Sequence, residues 1–92
     1  MEEFEWNNDK AMLNFKKHGL SFEEAMTTFD DYFALYMEDP THSKSELRFI
    51  IIGYTINNRL AVVSYIERNN KIRIISARLA TKKERIAYEE KR

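Results

Sequence analysis

Residues 48–78, R-F-I-I-I-G-Y-T-I-N-N-R-L-A-V-V-S-Y-I-E-R-N-N-K-I-R-I-I-S-A-R, contain three β-branched runs separated by two Asn-Asn pairs. The runs are Arg48–Ile56, Leu60–Arg68 and Lys71–Arg78. Asparagine tolerates φ > 0, which both central positions of a type I′ turn require, so each pair predicts a two-residue hairpin loop. Together they predict a three-strand antiparallel meander.

Two-residue loops also set a register. Ile56 would face Arg59, Ile52 would face Val63 and Arg48 would face Glu67. In the second hairpin Arg68 would face Lys71, Ile66 would face Arg73 and Ala61 would face Arg78. Paired residues share a face. One face then carries Arg48, Ile50, Ile52, Tyr54, Val63, Tyr65, Ile74 and Arg78, and the other carries Phe49, Ile51, Val62, Ile66, Arg73 and Ala77. Both faces are apolar enough to need cover. Arg73 and Arg78 fall on opposite sides.

Downstream, Thr81-Lys82-Lys83-Glu84 reads as a capping box that starts a helix through Tyr88. Upstream, Phe4-Glu5-Trp6 predicts a short strand, and Asn7 or Asn8 caps a helix to about Lys17. Gly19 ends that helix by accepting the left-handed conformation. Ser21-Phe22-Glu23-Glu24 is another capping box, opening a second helix to about Phe29 that buries Phe22, Ala25, Met26 and Phe29. Tyr32–Glu38 predicts a further strand, and Asp39–Ser45 a loop. The fold class is α+β: an antiparallel sheet with two N-terminal helices on one face and a C-terminal helix, all in one domain.

The chain has 92 residues, 43% hydrophobic and 33% charged, which describes a soluble globular protein with a modest core. It has no cysteine, so disulfides and thiolate metal sites are excluded. Nothing is long and apolar enough to span a bilayer, and the acidic start does not resemble a signal peptide. A cytoplasmic location is expected. The net charge is zero but unevenly spread: residues 1–47 carry 4 Lys/Arg against 11 Asp/Glu, and residues 48–92 carry 11 against 4. This asymmetry suggests a polyanion-binding side, although the halves could instead neutralise each other across the fold.

Three segments resemble the BrnT family, the toxin half of a bacterial type II toxin–antitoxin pair. They are F-E-W-N-x-x-K with N-x-x-K-H-G-L-S-F-E-E-A, then H-S-x-x-E-x-R-F-I-I-I-G, then R-I-I-S-A-R-x-A-T-K-K-E-R-x-x-Y-E-E. The resemblance implies a RelE-like fold, RNA cleavage that arrests growth, and neutralisation by a BrnA-type antitoxin. That antitoxin would itself bind operator DNA.

Cleaving RNA without a metal needs a base for the 2′-hydroxyl, cations for the phosphate and an acid for the leaving oxygen. Arginine suits the second task because its planar fork grips phosphate oxygens in pairs. Arg78, which matches the family motif, and Arg85 are the candidate phosphate clamp. Lys17, His18 and Glu84 are candidates for proton transfer, and Tyr88 for positioning RNA. Arg48, Arg68, Arg73, Lys82 and Lys83 are candidate RNA-binding cations. Structural alternatives stand beside these roles: ion pairing for the arginines, a helix cap for His18 and Glu84, and core packing for Tyr88. No Gly-rich phosphate loop, nucleophile triad or metal-ligand spacing is present, so no cofactor and no metal are expected. A non-catalytic RNA- or protein-binding module built on the same basic half is the rival reading.

Overall fold

The computed structural model describes residues 3–42 and 45–91. In chain order the elements are β1 (Glu3–Glu5), α1 (Asn8–His18), α2 (Phe22–Met26), β2 (Leu35–Glu38), β3 (Arg48–Tyr54), β4 (Leu60–Arg68), β5 (Lys71–Leu79) and α3 (Lys82–Lys91). Short 3-10 turns cover Thr27–Asp30 and Pro40–His42. Of the predicted loop, Ser43 and Lys44 lie outside the described residues. Among the described residues no helix is long and apolar enough to cross a membrane.

The helix starts and stops follow the sequence signals. Asn7 caps α1 by accepting the Lys10 N–H at 3.0 Å, and Gly19 ends it at φ 68°. Ser21 caps α2 by accepting the Glu24 N–H at 3.0 Å. The second helix is shorter than expected, giving way to a 3-10 turn at Thr27. There Thr27 and Thr28 return their hydroxyls to the Glu24 and Ala25 carbonyls at 2.6 and 2.7 Å. Such back-bonding competes with regular helix. The expected strand at Tyr32 begins only at Leu35.

The sheet order is β1-β5-β4-β3-β2. It is mixed rather than antiparallel, because β1 runs parallel to β5, pairing Glu3–Glu5 with Lys71–Arg73. Beyond Arg73 the edge of β5 is occupied by α1. Asn14 donates to the Ala77 carbonyl at 2.8 Å and accepts the Ala77 N–H at 3.1 Å, so one side-chain amide does the job of a neighbouring strand. The same amide donates to the Leu20 carbonyl at 3.1 Å.

The meander forms, but its register departs from the expected one at two places. Asn69 and Asn70 both have φ > 0, at 54° and 63°, as a two-residue loop requires. At the other hairpin only Asn58 does, at 61°. Thr55 bonds both Asn58 and Arg59, so the loop is Ile56-Asn57-Asn58 and the pairing is Ile52↔Val62, not Ile52↔Val63. The second departure is a bulge in β5. Tyr65 pairs with Ile74 but Ser64 pairs with Ser76, leaving Ile75 as an extra residue. Arg78 therefore sits opposite Val62 rather than Ala61.

Each slip of one residue exchanges the faces. One face buries Ile51, Ala61, Val63, Tyr65, Ile72, Ile74 and Ala77 under Leu20, Phe22 and Ala25. Trp6 joins this core edge-to-face with Phe22 at 6.0 Å. The opposite face buries Ile52, Leu60 and Val62 under Tyr88 of α3. The N-terminal helical segment and α3 thus cover opposite sides of the sheet.

Candidate active site

The face beneath α3 can be followed in rows across β3, β4 and β5. Arg48, Ile66 and Arg73 form one row, Ile50, Ser64 and Ser76 the next, and Ile52, Val62 and Arg78 the third. Tyr54 and Leu60 end the series, with the Ala80 N–H bonded to the Leu60 carbonyl. Arg73 and Arg78 therefore share a face. Their expected separation on opposite sides is overturned by the bulge at Ile75, which inverts the alternation between them.

Arg78 meets Glu84 in a fork-to-fork pair, with Nη1–Oε1 and Nη2–Oε2 both 2.8 Å, and donates to the Leu79 carbonyl at 3.3 Å. Glu84 completes the capping box: its carboxylate accepts the Thr81 N–H at 2.8 Å, while its own N–H reaches the Thr81 hydroxyl at 3.2 Å. The Arg78 hydrogen bonds, reinforced by those of Thr81, lower the Glu84 carboxyl to about 2 despite the opposing effect of burial. At neutral pH Glu84 is a fixed anion.

The next residue, Arg85, donates to the Tyr54 hydroxyl at 3.1 Å. The Tyr54 ring packs edge-to-face on Tyr88 at 5.4 Å. Tyr88 is only 2% exposed and donates its hydroxyl to Asp31 at 2.7 Å, so it is a core residue and presents no ring to RNA. Asp31 also accepts the Tyr54 N–H at 2.8 Å and the Phe33 N–H at 2.9 Å. Gly53 permits this approach, since a Cβ there would lie 3.3 Å from the Asp31 carboxylate and 3.2 Å from the Thr28 carbonyl.

Arg48, Arg68 and Arg73 line one cavity of about 440 Å³ with Lys10, Ser45, Glu46, Ile66 and Ile75. Glu46 pairs with Arg68 through both carboxylate oxygens, and Glu5 lies 3.5 Å from Arg73. Lys82 and Lys83 are exposed in the first turn of α3. Lys17 is exposed and His18 half-buried in the last turn of α1. His18 follows Asn14 by four residues and Lys10 precedes it by four, so the three share one face of α1. Among the described residues no hydrogen bond or ion pair joins Lys17 or His18 to Arg78.

Lys10, Asn14, Asp31 and Tyr54 are not among the site residues expected from the sequence. Asn14 carried a signal, a lone amide on a helix face that must be buried. The other three gain their neighbours only through tertiary contacts. Among the described residues no three His, Asp or Glu side chains converge on one point.

Fold and site together define a small α+β protein with a cation-lined sheet face closed at one end by a helix. The sequence model of the family described as ribonuclease toxin, BrnT, of type II toxin–antitoxin system matches residues 6–84. The chain belongs to the BrnT toxin family, whose members are ribonuclease toxins, and membership implies an antitoxin partner. The fold is similar to that of the Brucella abortus ribonuclease toxin BrnT, with a TM-score of 0.69 at 21% identity, covering 89% of this chain and 100% of the other. No curated protein matches the sequence.

Proposed function

We propose that residues 1–92 form a single RelE-like domain acting in the cytoplasm as a metal-independent endoribonuclease. A BrnA-type antitoxin would silence it and alone contact operator DNA. The observation that carries this reading is the placement of Arg78, gripped by Glu84 beside Arg85, on the same sheet face as Arg48 and Arg73.

In the reaction a base removes the 2′-hydroxyl proton and the 2′-oxygen forms a bond to phosphorus. The bond to the 5′-oxygen breaks, that oxygen takes a proton, and the products end in a 2′,3′-cyclic phosphate and a 5′-hydroxyl. Arg78 and Arg85 hold the phosphate oxygens. Arg78 spends three N–H groups on Glu84 and Leu79, leaving two of a guanidinium's five for a phosphate. Glu84, too weak a base at about 2, orients Arg78 instead. Proton transfer falls to His18, with Lys17 beside it, across the edge where Asn14 joins α1 to β5. Arg48, Arg68, Arg73, Lys82 and Lys83 attract the RNA backbone.

Pure protein incubated with labelled RNA in EDTA tests this. The expected result is cleavage to cyclic-phosphate ends, reduced ~10²–10³-fold in Arg78→Ala, as loss of one transition-state donor costs elsewhere. Tight, salt-sensitive binding without cleavage would establish the non-catalytic module instead.

A further inference from the structure

The far end of the basic face is a site in its own right. Lys10, Arg48, Arg68 and Arg73 line the cavity of about 440 Å³ against a single lining carboxylate, Glu46, which forks onto Arg68 and also attracts Arg73. Arg73 has Glu5 at 3.5 Å, a loose pair. Among the described residues the Lys10 ammonium meets no carboxylate. Three chain segments far apart in sequence therefore bring positive charge to one concavity, with Ile66 and Ile75 as its apolar lining. Clustered cations repel one another, and an anion that enters relieves the repulsion.

The bulge sets the geometry of this end relative to Arg78. Arg73 and Arg78 sit opposite Ile66 and Val62, four ladder steps apart once the bulged residue is discounted, which at about 3.3 Å per step places them roughly 13 Å apart along the sheet. Stacked duplex advances about 3.4 Å per nucleotide and an unstacked strand spaces its phosphates further apart, so the same span holds at most about four nucleotides.

We propose that the Lys10–Arg48–Arg73 cavity is a second phosphate subsite. It seats a backbone phosphate of the RNA strand several nucleotides from the one held at Arg78, and so sets the minimum length of a good substrate. This rests on the reading of the face as an RNA site. Lys10, delivered from α1 rather than from the sheet, is the residue that adds this length dependence.

The test uses 2′-O-methyl RNA, which binds without being cut, as oligomers of about 12 nucleotides and of about two, the shorter having a single internucleotide phosphate that cannot fill both subsites. Wild type is compared with Lys10→Ala and Lys10→Arg, both at an exposed helix position compatible with folding. Wild type binds the longer strand well above the shorter. Lys10→Ala reduces that ratio roughly fivefold and lowers the log–log salt slope by about 0.7, one phosphate contact on a single strand, while Lys10→Arg restores both. Equal binding of the two lengths by wild type overturns the proposal, and so does an unchanged ratio and slope in Lys10→Ala. Length-dependent binding by a wild type that cuts no unmodified RNA would uphold the subsite while refuting the nuclease reading.

Discussion

Replacing Glu84 with Gln separates orientation from proton transfer at the candidate site. The carboxyl titrates at about 2 in the fold against 4.5 for the free group. At ~1.4 kcal/mol per unit the difference is worth about 3 kcal/mol if fully expressed. The Arg78 side chain is 42% exposed and Glu84 25%, so solvent screening brings this to about 1–2 kcal/mol. The folded pKa is depressed, so the contribution is complete above about 4.5 and is lost as pH falls towards about 2. Urea melts should show Glu84→Gln less stable by about 1–2 kcal/mol at neutral pH, or about 5–15 °C in Tm, with the gap closing near pH 2. Activity should drop about tenfold, because Arg78 loses half of its charged fork. The acidic limb of the rate–pH profile should survive, since Glu84 is already ionised where the limb falls. A limb that disappears in Glu84→Gln would make Glu84 a proton-transfer group, and a stability gap equal at pH 2 and pH 7 would rule out the ion pair as its source.

Further consequences concern the frame that holds the site. Glu24 is lowered to about 2, chiefly by Arg59 and with help from Thr55. Glu24→Gln should therefore cost about 2 kcal/mol at pH 7 and little at pH 2, measured by the same melts. Asn14→Leu strands the Ala77 N–H and C=O and the Leu20 carbonyl in a buried setting, and should cost about 3 kcal/mol or more in chemical denaturation. Asn70→Gly relaxes a φ of 63° in a type I′ loop and should raise stability by a few tenths to about 1 kcal/mol, with β4–β5 amide exchange slowed.

Much of this protein is legible before folding. The three β-branched runs, the Asn69-Asn70 turn, the stop at Gly19 and the caps at Ser21 and Thr81 are local signals, each read from a few adjacent side chains. The candidate site is legible only in part. Arg78 and Glu84, six residues apart, do pair at the end of the sheet, while Arg85 turns to the Tyr54 hydroxyl. Glu24 shows where a local signal fails. It has the spacing of a capping-box acid, yet its carboxylate reaches Thr55 at 2.6 Å and Arg59 at 2.7 Å across the fold. A charged partner outcompetes a main-chain N–H for a largely buried carboxylate.

Local sequence sets most of the element types and their order, because these depend on neighbours within a turn or a pleat. It could not determine which faces of different strands coincide. That followed from a three-residue loop at Ile56–Asn58 and an extra residue at Ile75, which bring an apolar face of each strand to each side of the sheet. With a side-chain period of two, a single added residue moves every later side chain to the other side. Only the tertiary structure could therefore put Arg73 and Arg78 on one surface, and bring Lys10 from α1 to meet it.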